Sequence, residues 1–140
     1  MRRLLVFLLF LCGSAHAHSP GVQQERIAEV TSAWDGSSWA YPDGPPLVTL
    51  LRLHIPAHTT LPWHQHPMLN LAYIEQGAIT VERRDNSRTQ VLTQGQALGE
   101  LMNISHRGVT GPEGAQLLVF YAGTVDQPLT VLDSVTGQTP

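Results

Sequence analysis

Beyond Pro46 the apolar residues of this chain fall in short runs rich in Val, Leu, Ile, Thr and Tyr, separated by Gly, Pro or Asn. Runs of this length, cut so often, are too short for stable helices and suit the strands of a sandwich or barrel. The expected strands are Leu47 to Ile55, Leu69 to Glu75, Ala78 to Arg83, Thr89 to Thr93 and Gln116 to Tyr121, with the polar stretch Arg84 to Arg88 as a hairpin tip. The fold class is therefore all-β. Residues 18–46 read as an irregular N-terminal extension with turns at Trp34 to Trp39 and Asp43 to Pro46, in which Ile27, Val30 and Trp34 are spaced as in a short helix. Residues 47–125 form the barrel domain and residues 126–140 a peripheral tail.

The first residues have another purpose. Met1-Arg2-Arg3 is a positive start, Leu4 to Leu11 an unbroken apolar run, and Ala15-His16-Ala17 a small-x-small cleavage signal. Together they read as a signal peptide over residues 1–17, with the product periplasmic or secreted. The apolar run is far below the roughly 20 residues that span a bilayer, so no membrane-embedded form is expected. The single cysteine, Cys12, lies inside that leader, so the mature chain has neither disulfides nor thiolate ligands. Without Arg2 and Arg3 it keeps six arginines, no lysine and eleven carboxylates, a formal charge of −5 (6 − 11). Such a surface repels nucleic acid and anionic lipid. No Gly-rich phosphate loop, Gly-x-Ser-x-Gly elbow or Cys-x-x-Cys pair is present.

The chemistry-bearing stretch is Pro62-Trp63-His64-Gln65-His66-Pro67-Met68-Leu69-Asn70. On extended backbone, side chains two apart share a face about 7 Å apart, so His64 and His66 project together, and His106 on a neighbouring strand completes three imidazoles. After His66 come three residues, Asn70, six residues and Gly77; Gly95 opens a second segment that reaches His106. This resembles the two motifs of the cupin superfamily, and Leu61 to Pro67, Gly99 to Asn103 and Leu118 to Gly123 look like small exported bacterial cupins.

The resemblance implies a jelly-roll β-barrel with a divalent metal in its mouth, held by His64, His66 and His106. It also implies a glutamate where this chain has Asn70. Glu100 is the candidate replacement, as ligand or as acid/base, because it shares strand parity with His106. Asn70, Trp63, Met68 and Tyr73 are candidates to line the ligand pocket or orient what binds there. Thr110 stands where the second motif commonly ends in Asn. His54 and His58 read as surface or supporting residues. Imidazole suits Zn, Fe, Ni and Cu, and Mn enters with a carboxylate. An open site of this kind binds a small oxygen-bearing molecule, either as a metal-dependent oxidoreductase or isomerase or as a binding or sensing module. Exposed sheet edges make a homodimer plausible.

Overall fold

Seven strands organise residues 21–134, which are the residues this computed structural model describes; the expected signal peptide, 1–17, lies outside them. They are β1 Pro46–Ile55, β2 His64–Gln65, β3 Leu69–Arg83, β4 Thr89–Thr93, β5 Ala97–Gly99, β6 His106–Thr124 and β7 Val131–Leu132. All pair antiparallel in one sheet that curls around a common interior without closing, an all-β jelly roll. The described residues contain no helix, and so none long and apolar enough to cross a membrane.

The longest strand, β6, organises the rest. One edge of it pairs with β3 from Leu69↔Ala122 to Arg83↔His106; the other pairs with β1 and then, past a short excursion, with the chain at Thr60 and His64. Two expected strands, Leu69 to Glu75 and Ala78 to Arg83, are thus one strand of 15 residues. The break read at Gly77 is a bulge, with register steps at Ile74/Gln76 and Gly77/Ile79. Gly77 has φ +74°, and a Cβ there would stand 2.1 Å from the Gly114 carbonyl oxygen, so the bulge closes only around a bare backbone. Opposite it, residues 111–114 swing away from β3, and Thr110 secures the turn beneath them. Its Oγ1 accepts the Thr59 N–H (3.0 Å) and donates to the Pro56 carbonyl (2.7 Å).

Alternation along β3 and β6 sets the core. Ala72, Ile74, Ile79 and Val81 face in from β3, and Leu117, Val119 and Tyr121 from β6, joined by Ile55, Leu92 and Leu98. Each fully buried aliphatic side chain contributes about 1.5–3 kcal/mol. The outer face of β1 shows Val48 and Leu50 to solvent.

Both terminal segments depart from expectation. The helical spacing of Ile27, Val30 and Trp34 ends in a tight turn instead of a helix: Asp35 Oδ1 accepts the Ser37 N–H at 2.8 Å, and Gly36 takes φ +90°. That turn is fastened to the barrel by an ion pair from the buried Asp35 to Arg83 and by the Trp34 N–H on the Gly99 carbonyl (2.9 Å). The stretch expected as a peripheral tail runs back across the sheet, and β7 pairs with β2 through His64↔Leu132 and Gln65↔Val131. Asp133 fixes its end: its N–H donates to the Trp63 carbonyl (3.0 Å), and its carboxylate accepts from Ser105 (2.5 Å) and Arg84.

Candidate metal centre

The sheet pairing places His64 directly against His106, and His66 follows at a single parallel bridge to Met102. The three rings meet with centroids 4.7–5.1 Å apart, and one ring nitrogen from each lies within 4.8 Å of the others. His66 and His106 are buried and His64 half-buried. These three histidines could hold a metal ion.

What prepares them is backbone. His64 Nδ1 lies 2.8 Å from the Pro62 carbonyl, His66 Nδ1 2.7 Å from that of Leu129, and His106 Nδ1 2.8 Å from that of Ile104. A carbonyl has no proton to offer, so each Nδ1–H donates and each Nε2 keeps its lone pair for the site. His106 Nε2 is buried without a hydrogen-bond partner, an arrangement that costs stability unless an electron-pair acceptor is supplied. Burial, with the neighbouring imidazoles, holds the His64 pKa below its usual value, which favours the neutral, ligating form.

Glu100 is brought to the same point. Its Oε2 is 3.1 Å from His66 Nε2 and 3.6 Å from His106 Nε2, and it accepts a hydrogen bond from Asn70 Nδ2 at 3.0 Å. A carboxylate oxygen and an imidazole lone pair at that separation repel unless a cation lies between them. Burial opposes charging His66, but the Glu100 carboxylate outweighs it and raises the His66 pKa. Burial likewise pushes Glu100 up, yet the neighbouring His106 and His66 imidazoles carry it well below the usual carboxylate range. Two donor atoms on one ion with bonds of ~2.1 Å stand roughly 3.0–3.4 Å apart; the His66–Glu100 separation of 3.1 Å falls in that range and the His106–Glu100 separation of 3.6 Å lies just above it, so the donor set fits a metal.

The strand-parity reason for Glu100 does not hold. Glu100 follows β5 rather than lying in a strand with His106, and the chain between them turns at Asn103, which has φ +57°. Glu100 arrives instead through Asn70, whose carbonyl accepts the Glu100 N–H (3.2 Å) and whose amide holds the carboxylate. From the far side, Trp39 Nε1–H donates to the Glu100 carbonyl at 2.9 Å.

Of the other candidates, Asn70 is buried against Glu100, with Oδ1 unpartnered. The remaining three lie elsewhere. Trp63 stands outside the interior beneath Arg107, whose guanidinium is 4.3 Å from its ring; Met68 is packed in the core beside Gly123; Tyr73 faces outward, since its neighbours Ala72 and Ile74 face in. His54 is exposed on β1, with Nδ1 3.1 Å from Gln116 Oε1, and His58 is exposed in the turn after it. Sequence reasoning missed Tyr121, whose ring packs edge-on to His66 at 5.5 Å. Burial and the Glu100 charge raise its pKa, so the phenol stays protonated. The inward alternation Leu117, Val119, Tyr121 was a usable signal. It also missed Thr130, which had none.

The histidines open onto an interior cavity of about 220 Å³ running between the sheet faces, with mainly aliphatic walls.

No family model and no curated protein matches the chain. Solved structures do. The DMSP lyase DddQ from Ruegeria pomeroyi DSS-3 superposes with TM-score 0.54 at 20% identity, over 67% of this chain and 46% of that one. The polyketide cyclase RemF from Streptomyces resistomycificus gives 0.55 at 20% identity, over 67% and 65%. A cupin-like protein from Thermotoga maritima gives 0.53 at 14% identity, over 62% and 65%. In each case the chain spans less than two thirds of the other protein's length. At these identities the likeness speaks to fold and leaves chemistry to the site. The chain shares its fold with these cupin-type structures.

Proposed function

We propose that the mature protein is an exported metal-dependent cupin in which His64, His66, His106 and Glu100 hold one divalent ion, and in which the cavity beside them receives a small oxygen-bearing molecule. The observation that carries this reading is the meeting of three imidazoles, each held by a backbone carbonyl on Nδ1 and each with a ring nitrogen within 4.8 Å of the others, with the Glu100 carboxylate 3.1 Å from His66 and 3.6 Å from His106. Zn, Fe, Mn, Ni and Cu all accept such a donor set. A bound ion of this kind supplies Lewis acidity toward an oxygen of the ligand.

The protein's own groups have separate duties. Asn70 holds the Glu100 carboxylate in place. Glu100, kept ionised, is suited to ligation or to accepting a proton and poorly suited to delivering one. Tyr121, kept protonated beside His66, is a hydrogen-bond donor available to what enters. The reaction class that goes with such a site is oxidation, isomerisation or decarboxylation of a small molecule; the similar folds include a lyase and a cyclase by name, and the fold does not choose among these chemistries. Replacement of the expected glutamate by Asn70 supports a second reading, a binding or sensing module on the same centre. Turnover that vanishes in Glu100→Gln with metal retained separates the enzyme from that module.

The test is metal analysis of the mature protein, purified without a histidine tag, beside His64→Ala and Glu100→Gln. The expected result is about one ion per chain, lost in His64→Ala and weakened in Glu100→Gln. An ion present at a hundred times its dissociation constant stabilises the native state by about 2.7 kcal/mol, so a chelator should lower the melting temperature. A protein that takes up none of the five metals and melts identically with chelator refutes the metal reading. Export is checked by the mass of the product outside the cytoplasm, expected to begin at His18.

A further inference from the structure

The cavity differs sharply between its two ends. Its polar lining groups cluster around His66: His64 and His106 within 5.1 Å between ring centroids, Glu100 at 3.1 Å, Tyr121 at 5.5 Å between rings and Thr130 Oγ1 at 3.5 Å. Away from that cluster the walls are aliphatic, including Leu53, Ile74, Ile79, Leu92, Leu98 and Leu117. Among the described residues no arginine lines the cavity, and Glu100 is its sole carboxylate. A second anionic group on a bound molecule would therefore sit against hydrocarbon with no counter-charge, at a cost of several kcal/mol. A cationic group would meet the same wall.

Size narrows the choice. An apolar cavity of about 150 Å³ accommodates benzene, so 220 Å³ corresponds by proportion to roughly nine non-hydrogen atoms.

We propose that this cavity selects a molecule with a single oxygen-bearing head and an uncharged hydrocarbon body, together about nine non-hydrogen atoms, and rejects dicarboxylates and zwitterions. The head meets the histidine and Glu100 end, and the body lies along the aliphatic walls. The assignment of the head rests on the metal reading above; the assignment of the body rests on the walls alone.

The experiment has an arm for each. Metal-loaded protein is titrated by calorimetry with straight-chain hydroxamates from acetyl to decanoyl, and with oxalate and succinate. Metal-free protein is titrated with primary alcohols from butanol to octanol. Each added methylene should tighten binding about fourfold in both series. The hydroxamate gain should stop near six carbons, where the molecule reaches nine non-hydrogen atoms. Val119→Phe, which fills the cavity from β6, should move that limit to shorter chains without altering metal content; Val81→Leu is the gentler filling change if the first variant does not fold. Affinity that is flat with chain length in both series, or oxalate or succinate binding as tightly as hexanohydroxamate, overturns the proposal. If the protein holds no metal, the head assignment falls with the proposed function, and the alcohol series on metal-free protein still decides the body.

Discussion

Gly99→Ala is the substitution that most directly tests whether the N-terminal extension supports the metal centre. A Cβ at position 99 would lie 2.3 Å from Cη2 and 2.6 Å from Cζ2 of Trp39, and 3.1 Å from the Ser32 carbonyl oxygen. No heavy atoms tolerate the first two distances, so the indole must move. Overpacking of this kind costs about 1–3 kcal/mol. Moving the indole also breaks its N–H bond to the Glu100 carbonyl, worth about 1 kcal/mol. The expected loss is therefore about 2–4 kcal/mol in urea unfolding, with the slope unchanged. Metal affinity should fall with it, because the freed carbonyl belongs to the residue that presents the carboxylate. Trp39→Ala removes the obstacle, so Gly99→Ala should add almost nothing in that background, leaving a coupling of about 2–4 kcal/mol. Single-variant costs that add to within about 0.5 kcal/mol would refute the reasoning, since independent sites behave that way.

Two further expectations concern the scaffold. Asp35 has its pKa lowered: burial raises it, but hydrogen bonds with Ser37 and Arg83 outweigh burial. Its contribution to stability is thus present above its unfolded value of 3.8 and lost as pH falls through the lower folded value. Asp35→Asn should cost about 2 kcal/mol at pH 7, less than a fully orphaned buried pair because Arg83 keeps Asp85, and the difference should shrink below about pH 4 in acid-unfolding curves. Thr110→Val keeps the side-chain shape but leaves the Thr59 N–H and Pro56 carbonyl without their partner, so a loss of about 1–3 kcal/mol in denaturant unfolding is expected. An unchanged midpoint would mean that water replaces the hydroxyl.

The sequence was most legible where chemistry is local. His64 and His66 could be placed on one side because any extended segment has a period of two, even though the strand here, His64–Gln65, ends before His66. The Arg84 to Arg88 hairpin tip was readable for the same reason and joins β3 to β4 as expected. Strand ends were not. Gly77 and the Gly111-Pro112 pair look like terminators, but here a bulge and an outward excursion absorb them without ending β3 or β6. Glu100 was named for a reason the fold does not use, because the contact that delivers it spans 30 residues to Asn70 and has no periodic signature. The role of residues 126–134 was hidden more completely. Nothing in Leu129 or Thr130 announces that their backbone and hydroxyl end beside His66, 63 and 64 positions earlier.

That last contact dictates an order of assembly. A chain made from its N-terminus carries both histidine motifs before Leu129 exists, and until the Leu129 carbonyl docks, the His66 ring has no partner fixing its tautomer. An ion captured at that stage meets a loosely defined imidazole; one captured after β7 pairs with β2 meets a preset nitrogen. The geometry of the three-histidine cluster is therefore completed late, by a stretch of backbone that contributes no side chain to it.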